Sequence, residues 1–131
     1  MDTILKQSKK GKSLKELGTY TRNLSIDMTE GCSLRCKYCF ADFASEKKEN
    51  RKLTKEVMKA AIDWLFDDET SGTVEEVNNS GGLGFEPWGG EPLHNFEMVK
   101  ETYEYLIKKS EETGKKIGHI GGTTNAVEFT E

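Results

Sequence analysis

The sequence predicts an α/β domain built around a parallel sheet. Two amphipathic helical segments alternate with three strand-like segments, in the order strand, helix, strand, helix, strand. Strands that are joined through a helix usually lie side by side and run parallel, so this order is typical of βαβ units. The 131 residues suffice for one domain with its own hydrophobic core.

The first strand is predicted in "RNLSIDMT", residues 22–29, where apolar side chains occupy alternate positions. A polar stretch, "ASEKKENRK", is predicted to be a loop. The first helix is predicted in "LTKEVMKAAIDWLFDDE", residues 53–69, with Thr54 as its N-cap. Its apolar residues recur at helical spacing: Leu53, Val57, Met58, Ala61, Ile62, Leu65 and Phe66. The segment "TSGTVEEVNNSGG" that follows is predicted to be a loop.

The second strand is predicted in "LGFEPW", which leads directly into "GGEP". Glu86 and Pro87 are unfavourable there, because buried parallel strands are mostly apolar and proline cannot donate a ladder hydrogen bond. The second helix should follow Asn95, an expected N-cap, with Phe96, Val99, Tyr103, Leu106 and Ile107 on its apolar face. It should end before Gly114, and "KKIGHIGGTTN" is a weaker third strand.

Composition excludes several functional classes. The net charge of −4 and the pI near 5.3 argue against a general nucleic-acid-binding protein. No apolar run approaches the ~18 residues of a membrane span, so no membrane association is expected. The basic cluster "KQSKKGKSLK" lies in a predicted flexible tail, residues 1–20, and no secretory apolar region follows it. We therefore expect a cytoplasmic protein whose folded domain comprises residues 21–131.

All three cysteines of the chain lie in "GCSLRCKYCF", as Cys32, Cys36 and Cys39. A structural zinc site would need a fourth ligand, and His94 and His119 are both distant in sequence. Disulfides are disfavoured because the number is odd and the spacing is crowded. A third interpretation is an iron–sulfur cluster, in which three thiolates would leave one iron open to a small molecule.

The second motif is "WGGEPL", from Trp88 to Leu93. Taken alone, it predicts no more than a turn. Its position after a strand and before a helix, about fifty residues beyond the cysteines, makes the two motifs more specific together than either one alone.

Together, "TEGCSLRCKYCF" and "WGGEPL" resemble the two cofactor motifs of the radical S-adenosylmethionine (radical SAM) superfamily. The aromatic residue before the third cysteine, Tyr38, fits the same pattern. "GGEPLHNFEMVKETYEYLIKK" and "TTNAVEFTE" are most similar to the SPASM or twitch branch, which modifies peptides and proteins and includes the anaerobic sulfatase maturases. "TTN", residues 123–125, matches the third-strand Thr-Asn of that branch, with Ala126 where glycine is usual.

The resemblance implies that the three cysteines bind a [4Fe–4S] cluster whose open iron chelates S-adenosylmethionine. The reduced cluster would cleave this cofactor to a 5′-deoxyadenosyl radical that abstracts a hydrogen atom from the substrate. Glu91 would accept the cofactor's ammonium group, and no side chain is expected to be catalytic in its own right. The implied cofactor-binding residues are Tyr38, Gly89, Gly90, Glu91 and Pro92. The implied partners are a peptide or protein substrate and an electron donor such as ferredoxin or flavodoxin.

The implied fold is a partial TIM-type (β/α) barrel of about three βα units, the N-terminal half of a radical SAM core. Half a barrel leaves an open strand edge that something must cover. Two alternatives therefore remain open at this point. One is an inactive truncated fragment that at most binds a cluster or complements another chain, and the other is a zinc-binding module.

Overall fold

The computed structural model of the protein describes residues 14–32, 34, 36–39 and 51–127. Residues 1–13 of the predicted tail and residues 44–50 of the polar loop lie outside the described residues. The regular elements are β1 (Asn23–Thr29), α1 (Lys55–Phe66), α2 (Asp68–Ser71), α3 (Val74–Asn79), β2 (Leu83–Gly89), a 3-10 helix (Pro92–Asn95), α4 (Phe96–Thr113) and β3 (Ile117–Ile120).

The strands form one parallel sheet in the order β1-β2-β3, which confirms the predicted α/β class and its parallel strands. β2 pairs with β1 over nearly its whole length, up to Gly89 opposite Thr29. With β3 it pairs only over its first half, ending at Phe85 opposite Ile120. Three parallel strands that alternate with helices are consistent with a partial TIM-type barrel.

Pro87 lies in the central strand without removing a hydrogen bond between β1 and β2. The backbone groups of parallel strands face alternate neighbours, and here Gly84 N–H donates to Arg22 on the β1 side, while the Phe85 carbonyl accepts from Gly121 on the β3 side. Pro87 therefore faces the β3 side, beyond the last β2–β3 pair. The predicted conflict is resolved because β3 has already ended at this level.

The core lies between the sheet and the helices α1 and α4. Its buried apolar side chains are Met28, Met58, Ile62, Leu65, Phe66, Val77, Leu83, Phe85, Val99 and Leu106. The apolar faces differ slightly from the predicted ones, because Val57, Phe96 and Ile107 are exposed by 42%, 58% and 53%. On α1, the buried residues Met58, Ile62 and Phe66 each lie one position after a residue of the predicted four-residue repeat. On α4, Thr102 is buried in place of the predicted Ile107.

The prediction of a loop for "TSGTVEEVNNSGG" was wrong, because this segment contains the end of α2 and the whole of α3. Thr73 and Glu76 form a capping box, in which each side chain accepts a hydrogen bond from the other residue's backbone N–H. The spacing Thr-x-x-Glu is the sequence signal for this motif. A helix of six residues is too short for its apolar periodicity to be recognised.

A buried lysine ties this region to β3. The Lys115 side chain is 1% exposed, and its ammonium group donates to the Phe66 carbonyl at 2.7 Å and to the Ser71 hydroxyl at 3.2 Å. It also lies 2.7 Å from the Asp68 carboxylate. A charged group is tolerated in the interior only when it is paired and hydrogen-bonded in this way.

Tyr105 on α4 provides a pH-dependent contact with α1. Its hydroxyl donates to Asp63 at 2.6 Å, and this hydrogen bond raises the pKa of Tyr105 to about 12. Since the unfolded value is about 10, the contact stabilises the fold fully below about pH 10 and is lost as the pH rises through about 12.

We expect Asp63→Asn to return the Tyr105 pKa towards about 10, measured by ultraviolet titration of the phenolate. A titration identical to that of the wild type would contradict this assignment, and Tyr105→Phe identifies the transition.

Within the part of the chain that the structure describes, no helix is long and apolar enough to span a membrane.

Candidate functional site

The site lies at the carboxyl end of the sheet, where β1 leads into the cysteine segment. The register slips by one residue between Asp27 and Thr29, so Met28 forms a bulge at the end of β1. Bulges of this kind often redirect a chain next to a functional site. The Met28 carbonyl accepts from Leu53 N–H and from the Asn95 side chain, both at 2.9 Å. The predicted N-cap Asn95 thus precedes α4 as expected, but its side chain binds β1 instead of capping the helix.

The segment that carries the cysteines is closed at its base. Glu30 N–H donates to the Arg51 carbonyl at 2.9 Å, and the Arg51 guanidinium reaches the Glu30 carboxylate at 2.8 Å. Thr29 and Lys52 form an antiparallel bridge next to this pair. The two ends of residues 31–50 are therefore held together at the edge of the site.

The three cysteines form no disulfide with one another and are of intermediate burial. Cys36 and Cys39 are brought together by a turn, in which Cys39 N–H donates to the Cys36 carbonyl at 3.1 Å. Tyr38 lies within this turn and is 89% exposed. Arg35, between the first two cysteines in sequence, lies outside the described residues.

The two glycines of "GGEP" allow β2 to pass very close to the start of the cysteine segment. A Cβ atom on Gly89, where φ is +130°, would lie 2.3 Å from the Thr29 carbonyl oxygen. A Cβ atom on Gly90 would lie 2.5 Å from the Gly31 carbonyl oxygen. Both distances are far below van der Waals contact. The glycines are therefore required by packing within the protein, in addition to any approach by a cofactor.

Glu91 is the central buried carboxylate of the site, with only 1% of the residue exposed. Its Oε1 accepts from Leu93 N–H at 3.2 Å and from the Thr124 hydroxyl, and its Oε2 accepts from Asn125 N–H at 2.8 Å. A carboxylate offers about four acceptor positions, so about one remains for a further donor. Glu91 therefore connects the "GGEP" motif to the "TTN" motif that follows β3.

The "TTN" motif also reaches the cysteine segment, because the Asn125 side-chain nitrogen lies 3.8 Å from the Cys32 sulfur. The next residue, Ala126, has a φ of 63°, in the left-handed region that costs a non-glycine residue about 1–2 kcal/mol. The branch that the sequence resembles has glycine at this position, and glycine adopts this conformation without that cost.

One cavity of about 320 Å3 brings these motifs together. Its walls include all eight site residues named from the sequence: Cys32, Cys36, Tyr38, Cys39, Gly89, Gly90, Glu91 and Pro92. Leu34, Pro87, Trp88, Thr123, Thr124 and Asn125 complete the lining. His94 is not among the lining residues, and its ring lies against Gly31 instead.

Sequence reasoning did not assign Leu34, Pro87 or Trp88 to the site, and all three line the cavity. Trp88 is 40% exposed, and its indole N–H donates to Glu86 at 3.2 Å. A sequence signal existed, because side chains at the carboxyl ends of parallel strands line the ligand sites of α/β folds. Pro87 and Trp88 hold that position at the end of β2.

The chemistry of the lining is compatible with a metal cluster and an amino-acid cofactor. Thiols are the ligands that iron–sulfur clusters take from proteins, and here three of them share a cavity with glycine backbone and one buried carboxylate. Among the described residues, no three His, Cys, Asp or Glu side chains are grouped so that they could hold a metal ion. The thiolates of an iron–sulfur cluster bind separate irons, so they do not have to be grouped around a single ion.

The comparison with known families gives the class of protein to which this parallel α/β fold and its cavity belong. The sequence profile of the radical SAM superfamily matches residues 26–131. The chain belongs to the radical SAM superfamily, whose domain supports S-adenosylmethionine-dependent radical chemistry.

Two curated relatives share part of this region. The chain is 33% identical over 98 residues to an S-adenosylmethionine-dependent nucleotide dehydratase of Psychrobacter lutiphocae, covering 71% of the chain and 30% of that protein. It is 29% identical over 84 residues to an uncharacterized protein of Methanocaldococcus jannaschii, covering 64% of the chain and 24% of that protein. The chain thus spans about a quarter to a third of the length of these relatives.

Proposed function

We propose that the cavity binds a [4Fe–4S] cluster and S-adenosylmethionine, and that the protein is a radical SAM enzyme of the type that abstracts hydrogen from its substrate. When bound and reduced, the cluster supplies the electron that cleaves the cofactor to a 5′-deoxyadenosyl radical. The observation that carries the proposal is the meeting of the three thiols, the "GGEP" backbone and the Glu91 carboxylate in one cavity.

Cys32, Cys36 and Cys39 would hold the cluster. The turn between Cys36 and Cys39 brings two of the ligands close together, and the contacts between Glu30 and Arg51 anchor the chain two residues before Cys32. Metal binding is stronger when the ligands are held near their bound positions before the metal arrives. The remaining iron would be open to the cofactor.

S-adenosylmethionine would bind along the "GGEP" backbone. The unused acceptor position of Glu91 is available for its ammonium group, and burial strengthens such an interaction because water competes less. The backbone of Gly89 and Gly90 lines the cavity together with Tyr38, Trp88 and Pro92. These residues bind and orient the cofactor; the radical chemistry is that of the cofactor itself.

For the substrate, we propose a peptide or protein, on the basis of the branch-like "GGEPLHNFEMVK" and "TTN" segments. A nucleotide is the second candidate, and it is supported by the name of the relative from Psychrobacter lutiphocae. The two candidates separate in one assay, in which 5′-deoxyadenosine release is compared after adding a mixture of peptides or a mixture of ribonucleotides. An electron donor such as ferredoxin or flavodoxin completes the proposed system.

The proposal is tested by anaerobic reconstitution with iron and sulfide. We expect the wild type to gain visible iron–sulfur absorption and about four irons per chain, and to release 5′-deoxyadenosine when dithionite and S-adenosylmethionine are added. Cys36→Ala should lose most of the absorption and all of the release. Since Cys36 is half-buried on a turn, circular dichroism of the variant should remain like that of the wild type.

Two outcomes would overturn the proposal. Reconstituted protein that holds one zinc and no iron would identify a zinc-binding module. A stable cluster that never cleaves S-adenosylmethionine, even with a strong reductant, would identify a chain that binds a cluster without turnover.

A further inference from the structure

Asn125 contacts both cofactor motifs from its position after β3. Its backbone N–H donates to Glu91 at 2.8 Å, and its side-chain nitrogen lies 3.8 Å from the Cys32 sulfur. This N···S distance is at the long end of the range for hydrogen bonds to sulfur, whose large, diffuse lone pairs accept at greater distance than oxygen. Asn125 is separated from Cys32 by 93 residues in sequence, so the contact depends on the assembled fold.

The orientation of the Asn125 amide follows from its neighbours. Its Oδ1 accepts from Val127 N–H at 3.0 Å. An amide nitrogen cannot accept, so exchanging oxygen and nitrogen would place the amide nitrogen against that N–H and lose the bond. The Val127 N–H therefore directs the oxygen away from Cys32, and the NH2 group, which can only donate, faces the sulfur.

We infer that Asn125 is a positioning residue that donates a hydrogen bond to the cluster-bound Cys32 thiolate and thereby sets the reduction potential of the cluster. The inference rests on the proposed function, since it requires the cluster. Hydrogen bonds to the sulfurs are among the factors that tune cluster potentials. A donor stabilises the reduced cluster more than the oxidised one, because the reduced form carries one more negative charge. Asn125 should therefore raise the potential.

The same contact links the cluster to the cofactor side of the cavity. Glu91 holds the Asn125 backbone and the Thr124 hydroxyl, so the position of the donor depends on the "GGEP" carboxylate. A change at Glu91 should therefore alter the cluster potential even though Glu91 is not a proposed cluster ligand.

The test uses reconstituted full chain with Asn125→Asp. This variant is nearly isosteric and keeps the oxygen that accepts from Val127, but it replaces the donor with a negative group. We expect an unchanged iron content and a midpoint potential, measured by an electron paramagnetic resonance titration, that is more negative than that of the wild type. A tenfold change in the equilibrium constant for one-electron reduction of the cluster corresponds to a shift of about 59 mV in its midpoint potential. Asn125→Ala, which only removes the donor, should shift the potential in the same direction by less.

Asn78→Asp is the matched control. Asn78 contacts Gly114 and Lys116, which precede β3, and the substitution adds the same charge away from the cysteines. Its potential should equal that of the wild type. The inference is overturned if Asn125→Asp and Asn125→Ala both assemble the cluster with the wild-type potential. If the wild type itself assembles no iron–sulfur cluster, the proposed function fails instead, and the two failures are thereby distinguished.

Discussion

Replacing Glu91 by alanine is expected to lower the free energy of unfolding by at least about 4.5 kcal/mol, because hydrogen bonds to charged groups contribute about 1.5–3 kcal/mol each and this carboxylate accepts three of them. The loss also leaves the Asn125 N–H and the Thr124 hydroxyl without their acceptor in a largely buried site. Urea unfolding followed by circular dichroism measures the effect.

Glu86→Ala is the control for this variant. Glu86 lies on β2, ahead of Glu91, and its carboxylate contacts two exposed partners among the described residues, Trp88 at 3.2 Å and His119 at 3.3 Å. We expect its replacement to cost less than about 1 kcal/mol, as for other exposed polar contacts. Equal unfolding midpoints for the two variants would show that the Glu91 carboxylate is not the structural centre of the site.

Gly89→Ala is expected to destabilise the protein by about 4 kcal/mol. The added methyl group would have to move the Thr29 carbonyl, which it approaches to 2.3 Å, and overpacking of this kind costs about 1–3 kcal/mol. The φ of +130° adds backbone strain of about 1–3 kcal/mol for an L-residue. The variant should also bind less iron on reconstitution, since Thr29 leads directly into the cysteine segment.

Gly81→Ala separates the two contributions, because Gly81 has a φ of +102° but a Cβ atom there would have no heavy atom within 4 Å. This control should show only the strain, about 1–3 kcal/mol, and normal iron binding. If Gly81→Ala and Gly89→Ala lowered stability equally, the close approach between β2 and the end of β1 would not be the reason for glycine at position 89.

The elements that the sequence predicted correctly are those with a local cause. α1 begins after Thr54, whose side chain accepts from Val57 N–H, and α4 ends at Gly114, which adopts the left-handed conformation. These caps depend on a few neighbouring residues, so a sequence pattern reveals them. The sequence predicted the buried face of α4 less well. Phe96 was expected on that face but is exposed, because its packing depends on elements that are distant in sequence.

Pro87 illustrates what the sequence could not show. A proline in a central strand conflicts with the general rule, and the conflict disappears only once the length of β3 is known. The strand pattern does not fix where β3 stops pairing, so the proline was interpreted as an anomaly. In the structure it marks the level at which β2 and β3 cease to pair and the cavity begins.

The candidate site was predictable to the extent that short motifs carry it. The residues of both motifs line one cavity, whereas their connection through Thr124 and Asn125 was not foreseen. A hydrogen bond between residues that are 34 positions apart leaves no periodic signal in a single sequence. The "TTN" segment was matched to the family pattern, but its contacts with Glu91 and Cys32 required the fold.

The closed base at Glu30 and Arg51 has an entropic consequence. Bringing the ends of a flexible segment together has a cost that grows only slowly, by about 0.6 kcal/mol for each doubling of its length. Here the pairing of residues 29 and 30 with residues 51 and 52 brings those ends together as the protein folds. Assembly of the proposed cluster would therefore not have to supply that free energy, and its affinity for iron would be coupled to the stability of the sheet.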